Sequence, residues 1–176
     1  MTNYRRNRLP GGTYFFTVAL FERRSSLLID KIEHLRSAVR YVRRHHPFEI
    51  VAWVVMPDHL HAVWRLPDGD DDYAMRWRLI KTIFSRGQIP LEPRNTSRRS
   101  RGERGICQRR YWEHTIRDEQ DLQRHIDYIH YNPVKHGYVT QVRNWPYSTF
   151  HRYEQYGVYS PDWGVDYVEP AGGFGE

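Results

Sequence analysis

Apolar side chains recur along this chain in two rhythms, one suited to strands and one to helices. Thr13 to Leu20 (TYFFTVAL) is β-branched and aromatic and follows the Gly11-Gly12 turn signal, which predicts a strand. From Lys31 to His45 the apolar positions Ile32, Leu35, Val39 and Val42 are spaced for one face of a helix. Asp30 stands where a cap would, and Pro47 stops the pattern. Phe48 to Met56 (FEIVAWVVM) is apolar enough for a strand in mid-sheet, and after the Pro57-Asp58 turn His59 to Leu66 returns as its hairpin partner. Asp70-Asp71-Asp72 supplies negative charge at a helix start, and Tyr73 to Ser85 reads as that helix, burying Trp77, Ile80 and Phe84. Tyr111 to Ile116 is a short strand. Asp118 to Tyr131 is a helix carrying Leu122, Ile126 and Ile129; Pro133 ends it, because the residue before a proline avoids helical geometry. Strand, helix, strand, strand, helix, strand and a further helix predict an α+β sandwich of ferredoxin-like type, a mostly antiparallel sheet with helices on one face.

The length of 176 residues suits one domain, read as residues 1–159 followed by a Gly-rich, aromatic tail at 160–176. The formal charge of +6 alters the picture by pointing to a polyanionic partner. Only Lys31, Lys81 and Lys135 are lysines among the 27 cations, so the charge is carried by arginine, which forks onto phosphate with paired hydrogen bonds. Nucleic acid is therefore favoured over membrane, and no apolar run is long enough to span a bilayer. The stretch 88–110 is a basic loop holding seven arginines against Glu92 and Glu103. With Cys107 the single cysteine, an intrachain disulfide and a cysteine-based zinc site are excluded, and a cytoplasmic protein is expected.

Two spacings carry candidate chemistry. His59 and His61 are two apart on a strand and leave the sheet on the same side, where paired imidazoles can grip a divalent cation, while Leu60, Ala62 and Trp64 point into the core. Tyr128 and Asn132 are four apart and share one helix face. A phenol, with an ordinary pKa near 10, is a poor nucleophile unless a metal neutralises the phosphate that it attacks. Each feature alone has an ordinary reading as well: adjacent histidines by chance among ten, and a helical tyrosine packed in the core.

Together these residues resemble a known family. Met56-Pro57-Asp58-His59-Leu60-His61 is similar to the histidine–hydrophobic–histidine (HUH) motif of single-strand DNA nickases. Tyr128-Ile129-x-x-Asn132-Pro133-Val134-Lys135-x-Gly137 resembles the tyrosine helix of single-tyrosine HUH transposases, and Tyr111-Trp112-Glu113-His114 is also similar to that family. Tyr4-Arg5-Arg6, Gly11-Gly12-Thr13-Tyr14-Phe15-Phe16-Thr17, Ala52-Trp53-Val54-Val55-Met56-Pro57 and Trp145-Pro146-Tyr147-Ser148-Thr149-Phe150 resemble its REP-associated tyrosine transposase branch. The resemblance covers Tyr4 to Trp163. It implies the HUH variant of the ferredoxin-like sandwich, with His59, His61 and Asn132 holding Mg²⁺ or Mn²⁺ and Tyr128 attacking DNA. A 5′-phosphotyrosine link and a free 3′-OH would result, and reversal would give strand transfer. Insertion-sequence relatives place glutamine where Asn132 stands.

The partner implied is a REP-type palindrome, a single-stranded DNA hairpin, which gives the protein a nucleoid-associated place in the cell. Arg5, Arg6, Arg8, Arg109 and Arg110 are the DNA-contact candidates. A monomer is expected in preference to a dimer, with the aromatic tail Tyr159 to Tyr167 near the site. The acceptor of the tyrosine proton stays open between metal-bound hydroxide, water, Glu113 and His130. Three other readings remain in play: a hairpin-binding module without cleavage, a metal-dependent phosphodiesterase that activates water, and another HUH enzyme such as a replication initiator or relaxase, which the short chain with a single candidate tyrosine disfavours.

Overall fold

Four strands form an antiparallel sheet: β1 (Thr13–Ala19), β2 (Glu49–Val55), β3 (His59–Arg65) and β4 (Trp112–Thr115), in the order β2-β3-β1-β4. The helices are α1 (Leu27–Asp30), α2 (Ile32–His45), α3 (Tyr73–Ser85), α4 (Glu119–Lys135) and α5 (Phe150–Gln155), with a 3-10 turn at Val142–Asn144. The computed structural model describes residues 7–86, 88 and 104–167. The expected positions Arg5 and Arg6, most of the basic loop and the end of the tail lie outside these residues. The strand order is the ferredoxin-like one that the order of elements predicts.

Helices cover both faces of the sheet, which corrects the expectation of one. Tyr14, Phe16 and Val18 of β1 and Leu60, Ala62 and Trp64 of β3 pack with Leu35 and Val42 of α2 and with Trp77, Ile80 and Phe84 of α3. Their pleat partners Phe15 and Val63 pack on the opposite face with Leu122, Ile126 and Ile129 of α4 and Phe150 of α5. The reason lies in β3, which is buried at every position but Arg65, so both sides of the sheet need an apolar layer. The free edge of β2 is covered by the segment before α5, where Val55 N donates to Tyr147 O (2.9 Å) and Thr149 N to Trp53 O (2.8 Å).

Helix ends follow local chemistry, with two departures from expectation. Asp72 and Asp118 cap α3 and α4, accepting from Met75 N (3.0 Å) and Asp121 N (2.7 Å). Asp30 caps nothing; it closes α1, and its carboxylate accepts from Ser26 Oγ (2.7 Å). Pro133 does not end α4, which continues to Lys135. A proline this close to the C-terminus removes one helical hydrogen bond. The end is closed instead by Gly137 N donating to Val134 O and Tyr138 N to Pro133 O (2.9 Å each), with Gly137 at φ 71°. That is the Schellman closure of a helix, and glycine meets its left-handed residue without strain.

Part of the stretch expected as a basic loop is tied to the sheet. Ile106 is buried, Phe21 N donates to Ile106 O and Gln108 N to Ala19 O (2.9 Å each). The described tail runs along α4: Tyr159 donates to Asp127, Trp163 packs on Tyr159 (4.4 Å between ring centroids), and Tyr167 packs on Tyr131 (4.7 Å).

Candidate active site

Strand β3 begins directly after the Pro57-Asp58 turn, which is closed by Met56 N donating to His59 O (2.8 Å). The period of two sends His59 and His61 to the α4 face, with ring centroids 5.0 Å apart. Both imidazoles are held by Nδ1. That of His59 lies 2.8 Å from Asp58 Oδ1, and Asp58 Oδ2 is 2.7 Å from Arg23 Nε. That of His61 lies 2.9 Å from Thr17 Oγ1, its register partner on β1. A carboxylate only accepts, so His59 Nδ1 carries the proton and its Nε2 is left with a lone pair.

The two Nε2 atoms are buried and meet no hydrogen-bond partner among the described residues. A buried polar atom in that state costs about 1–3 kcal/mol and calls for an explanation. Imidazoles fixed through Nδ1 with Nε2 presented together are the arrangement of metal-ligating histidines. Burial, followed by the charges of His59, His136, Lys135 and Arg23, pushes the His61 pKa well below the ordinary imidazole range, which keeps the ring neutral as a ligand must be. Burial works against ionisation of Asp58, but the hydrogen bond from His59, with the charges of His59 and Arg23, outweighs it and holds that carboxyl below its usual range.

Helix α4 faces the pair. The Tyr128 ring is 5.2 Å from that of His61, edge to face at 68°, and Lys135 Nζ stands 4.9 Å over the Tyr128 ring. Two turns on, His136 lies 5.4 Å from His59. Asn132 is fully buried on the same face between these two contacts, so the helical period turns it toward the imidazoles. Two imidazole nitrogens and an amide oxygen are a donor set that would suit a small divalent cation.

Several expectations and omissions are located by the fold. Glu113 pairs in register with Phe16, which puts it on the α2/α3 side of the sheet, away from Tyr128. His130 is turned away too: its Nε2 lies 2.9 Å from Thr149 Oγ1, and burial pushes its pKa to about 3. Neither is placed to take the tyrosine proton. Arg8 pairs with Asp71 (3.5 Å) and Asp72 (3.8 Å) at the Thr13 end of β1, the end of the sheet opposite His59. Arg109 and Arg110 lead into β4 at the His59 end, and Arg110 lines a cavity with His59. Sequence reasoning missed Thr17, Asp58, Arg23 and His136. The signals at hand were the place of Asp58 directly before His59 and the spacing of His136, eight residues after Tyr128.

A second group of donors, His114, Asp121 and His125, has ligand atoms within 4.8 Å of one another and could hold a metal ion. Its carboxylate is already engaged: Asp121 Oδ2 accepts from His114 Nε2 (2.8 Å), Arg117 N (3.1 Å) and Arg117 Nε (3.3 Å). Burial opposes its ionisation, yet these bonds bring its pKa to about 2. The group joins β4 to the first turn of α4. The β3 histidines differ in that both of their Nε2 atoms are left without a hydrogen bond among the described residues.

No family model matches the chain. Two curated proteins do. One, of Haemophilus influenzae, is assigned to the REP-associated tyrosine transposases and is 52% identical over 166 residues, 93% of this chain and 94% of that protein. The other, the REP-associated tyrosine transposase of Escherichia coli K12, is 47% identical over 173 residues, 98% of this chain and 97% of that protein. A solved structure of a REP-associated tyrosine transposase bound to a REP hairpin is 47% identical, with a TM-score of 0.83 over 100% of this chain and 98% of that one. Among the described residues no helix is long and apolar enough to cross a membrane. On identity across almost the whole length and on the shared fold, the chain belongs to the REP-associated tyrosine transposases.

Proposed function

We propose that the chain is a site-specific single-stranded DNA endonuclease and strand transferase acting on REP-type hairpins through a 5′-phosphotyrosine intermediate. The observation that carries this reading is the pair of buried Nε2 atoms, on His59 and His61, beside the ring of Tyr128. His59, His61 and Asn132 would hold Mg²⁺ or Mn²⁺, which when bound supplies neutralisation of the scissile phosphate. The Tyr128 oxygen attacks phosphorus and the bond to the 3′ oxygen breaks, leaving the 5′ phosphate on Tyr128 and a free 3′-OH. Attack by a 3′-OH reverses the step, releases the tyrosine and joins the strands. Lys135, beside the Tyr128 ring, offsets negative charge on the phosphate. Asp58 and Thr17 keep the imidazoles from turning.

The hairpin partner follows from the family and from the relative that is bound to one. Acting on chromosomal repeats, the protein would work at the nucleoid. The ring of Tyr128 lies beside His61 of the same chain, which supports a monomer in preference to exchange of tyrosine helices.

The test is incubation of the protein with labelled REP-type hairpins, with Mn²⁺ or EDTA, followed by a denaturing protein gel. Wild type is expected to give a metal-dependent covalent adduct that Tyr128→Phe does not. Cleavage that persists in Tyr128→Phe without adduct would replace this reading with a water-activating phosphodiesterase. Binding with neither adduct nor cleavage across several flanks and both metals would leave a hairpin-binding module.

A further inference from the structure

Beside the paired histidines, the same face of the sheet carries a column of aromatic rings. Trp112 and His114, two apart on β4, lie parallel, with centroids 5.9 Å apart and planes 5° apart. His114 stacks in turn on His125 of α4, at 4.7 Å and 16°. The column is fixed along its length. His114 is bonded to Asp121 Oδ2, His125 Nδ1 lies 2.7 Å from Asp121 O, and Phe15 braces Trp112 edge-on at 5.7 Å. Trp112 is its last ring and is 37% exposed.

A cavity of about 350 Å³ opens at Trp112, and Arg23, His59, Gln108, Arg110 and His136 also line it. It therefore runs from the end of the ring column to a proposed metal ligand. Arg110 precedes Trp112 by two residues and is exposed. A rigid aromatic face next to cations is the chemistry that holds unpaired nucleotides: the ring stacks a base and the guanidinium meets phosphate. Bound bases gain most where the platform is already ordered, because no side-chain freedom is lost on binding.

We propose that this cavity is a base-stacking subsite that takes one unpaired base of the DNA strand next to the scissile phosphate, with Trp112 as platform and Arg110 as phosphate contact. The inference rests on the reading of the chain as an enzyme of single-stranded DNA and adds what fixes the strand over the metal centre. Stacking is tolerant of sequence, so Trp112 sets which position of the flank is held, and the amide of Gln108 is the group at hand to read that base's edge.

The test is a binding cycle in the Tyr128→Phe protein, where turnover cannot blur the readout. REP-type hairpins with a single-stranded flank carry one abasic site, moved along the flank, and dissociation constants are measured by fluorescence anisotropy. Trp112→Leu keeps apolar bulk against Phe15 but removes the platform. At one flank position the abasic site is expected to weaken binding by about tenfold with Trp112 present, and by little with Trp112→Leu. Arg110→Ala is expected to weaken all flanks alike and to flatten the salt dependence by about one phosphate contact. If the two losses multiply at every position, the subsite is wrong. Trp112→Phe guards against a folding defect, since it retains a ring and must retain part of the coupling. Binding here is independent of cleavage. A wild type that forms no adduct while the coupling persists would sink the cleavage reading and leave the subsite standing.

Discussion

Asp58 shows how much of the candidate site is held by residues that stand behind the imidazoles. Its two oxygens bridge His59 Nδ1 and Arg23 Nε, so one carboxylate sets both the tautomer and the direction of His59. Asp58→Asn keeps the shape but loses the charge that draws the Nδ1 proton and Arg23. We expect Mn²⁺ affinity, measured by calorimetry on the DNA-free protein, to fall about 10- to 100-fold. An unchanged affinity would mean that His59 is oriented by the backbone alone. Thr17 serves His61 in the same way without a charge. The spacing of His59 and His61 was legible because a strand's period is fixed by its own backbone. Thr17 was not, because it lies 44 residues away and reaches His61 only through the β1/β3 register.

At the scale of elements, α4 is the piece that carries most of the proposed chemistry. Its first turn is clamped by Asp118 and Asp121, its middle carries Tyr128 and Asn132, and its last turn carries Lys135 before Gly137 closes it. Nothing lies within 4 Å of a Cβ built on Gly137, so Gly137→Ala meets no steric clash and tests the φ of 71° alone. It should cost about 1 kcal/mol in urea unfolding, with Gly137→Asn costing less, because asparagine tolerates the left-handed region. Equal stability of all three would mean that the helix end relaxes to another closure. Proline and glycine were both visible in the sequence. Their combined effect was not, since a rule that stops a helix before proline does not foresee a Schellman closure four residues later.

For the whole molecule, burial of neutral imidazoles on both sides of α4 links stability to pH. Burial lowers the His130 pKa to about 3, with Arg152 and His151 adding to it, and burial lowers His61 and His125 as well. An unfolded chain binds these protons near pH 6.5 while the native one refuses them. Stability is therefore full above that value and falls as pH drops toward about 3. For His130 alone the loss is about 2 kcal/mol between pH 6.5 and 5. Asp121, ionised down to a pKa of about 2, adds a further loss only below its ordinary value of 3.8. Urea unfolding at pH 7.5 and 5 should give His130→Gln a smaller acid loss than wild type. An identical loss in the two would show that His130 is protonated in the native state.

The sequence by itself determined the main strands and helices, the ferredoxin-like order and the two spacings on which the proposed chemistry rests. Each of these depends on contacts between near neighbours or on the hydrophobic period. It also carried the resemblance that the relatives bear out. Tertiary structure alone decided which faces meet. A second apolar face on β3 brought α4 across the sheet from α2 and α3, turned Tyr128 onto His61, and carried Glu113 and His130 out of reach. Those outcomes rest on strand register and helix docking between segments far apart in the chain, where side-chain packing chooses the arrangement and local pattern is silent.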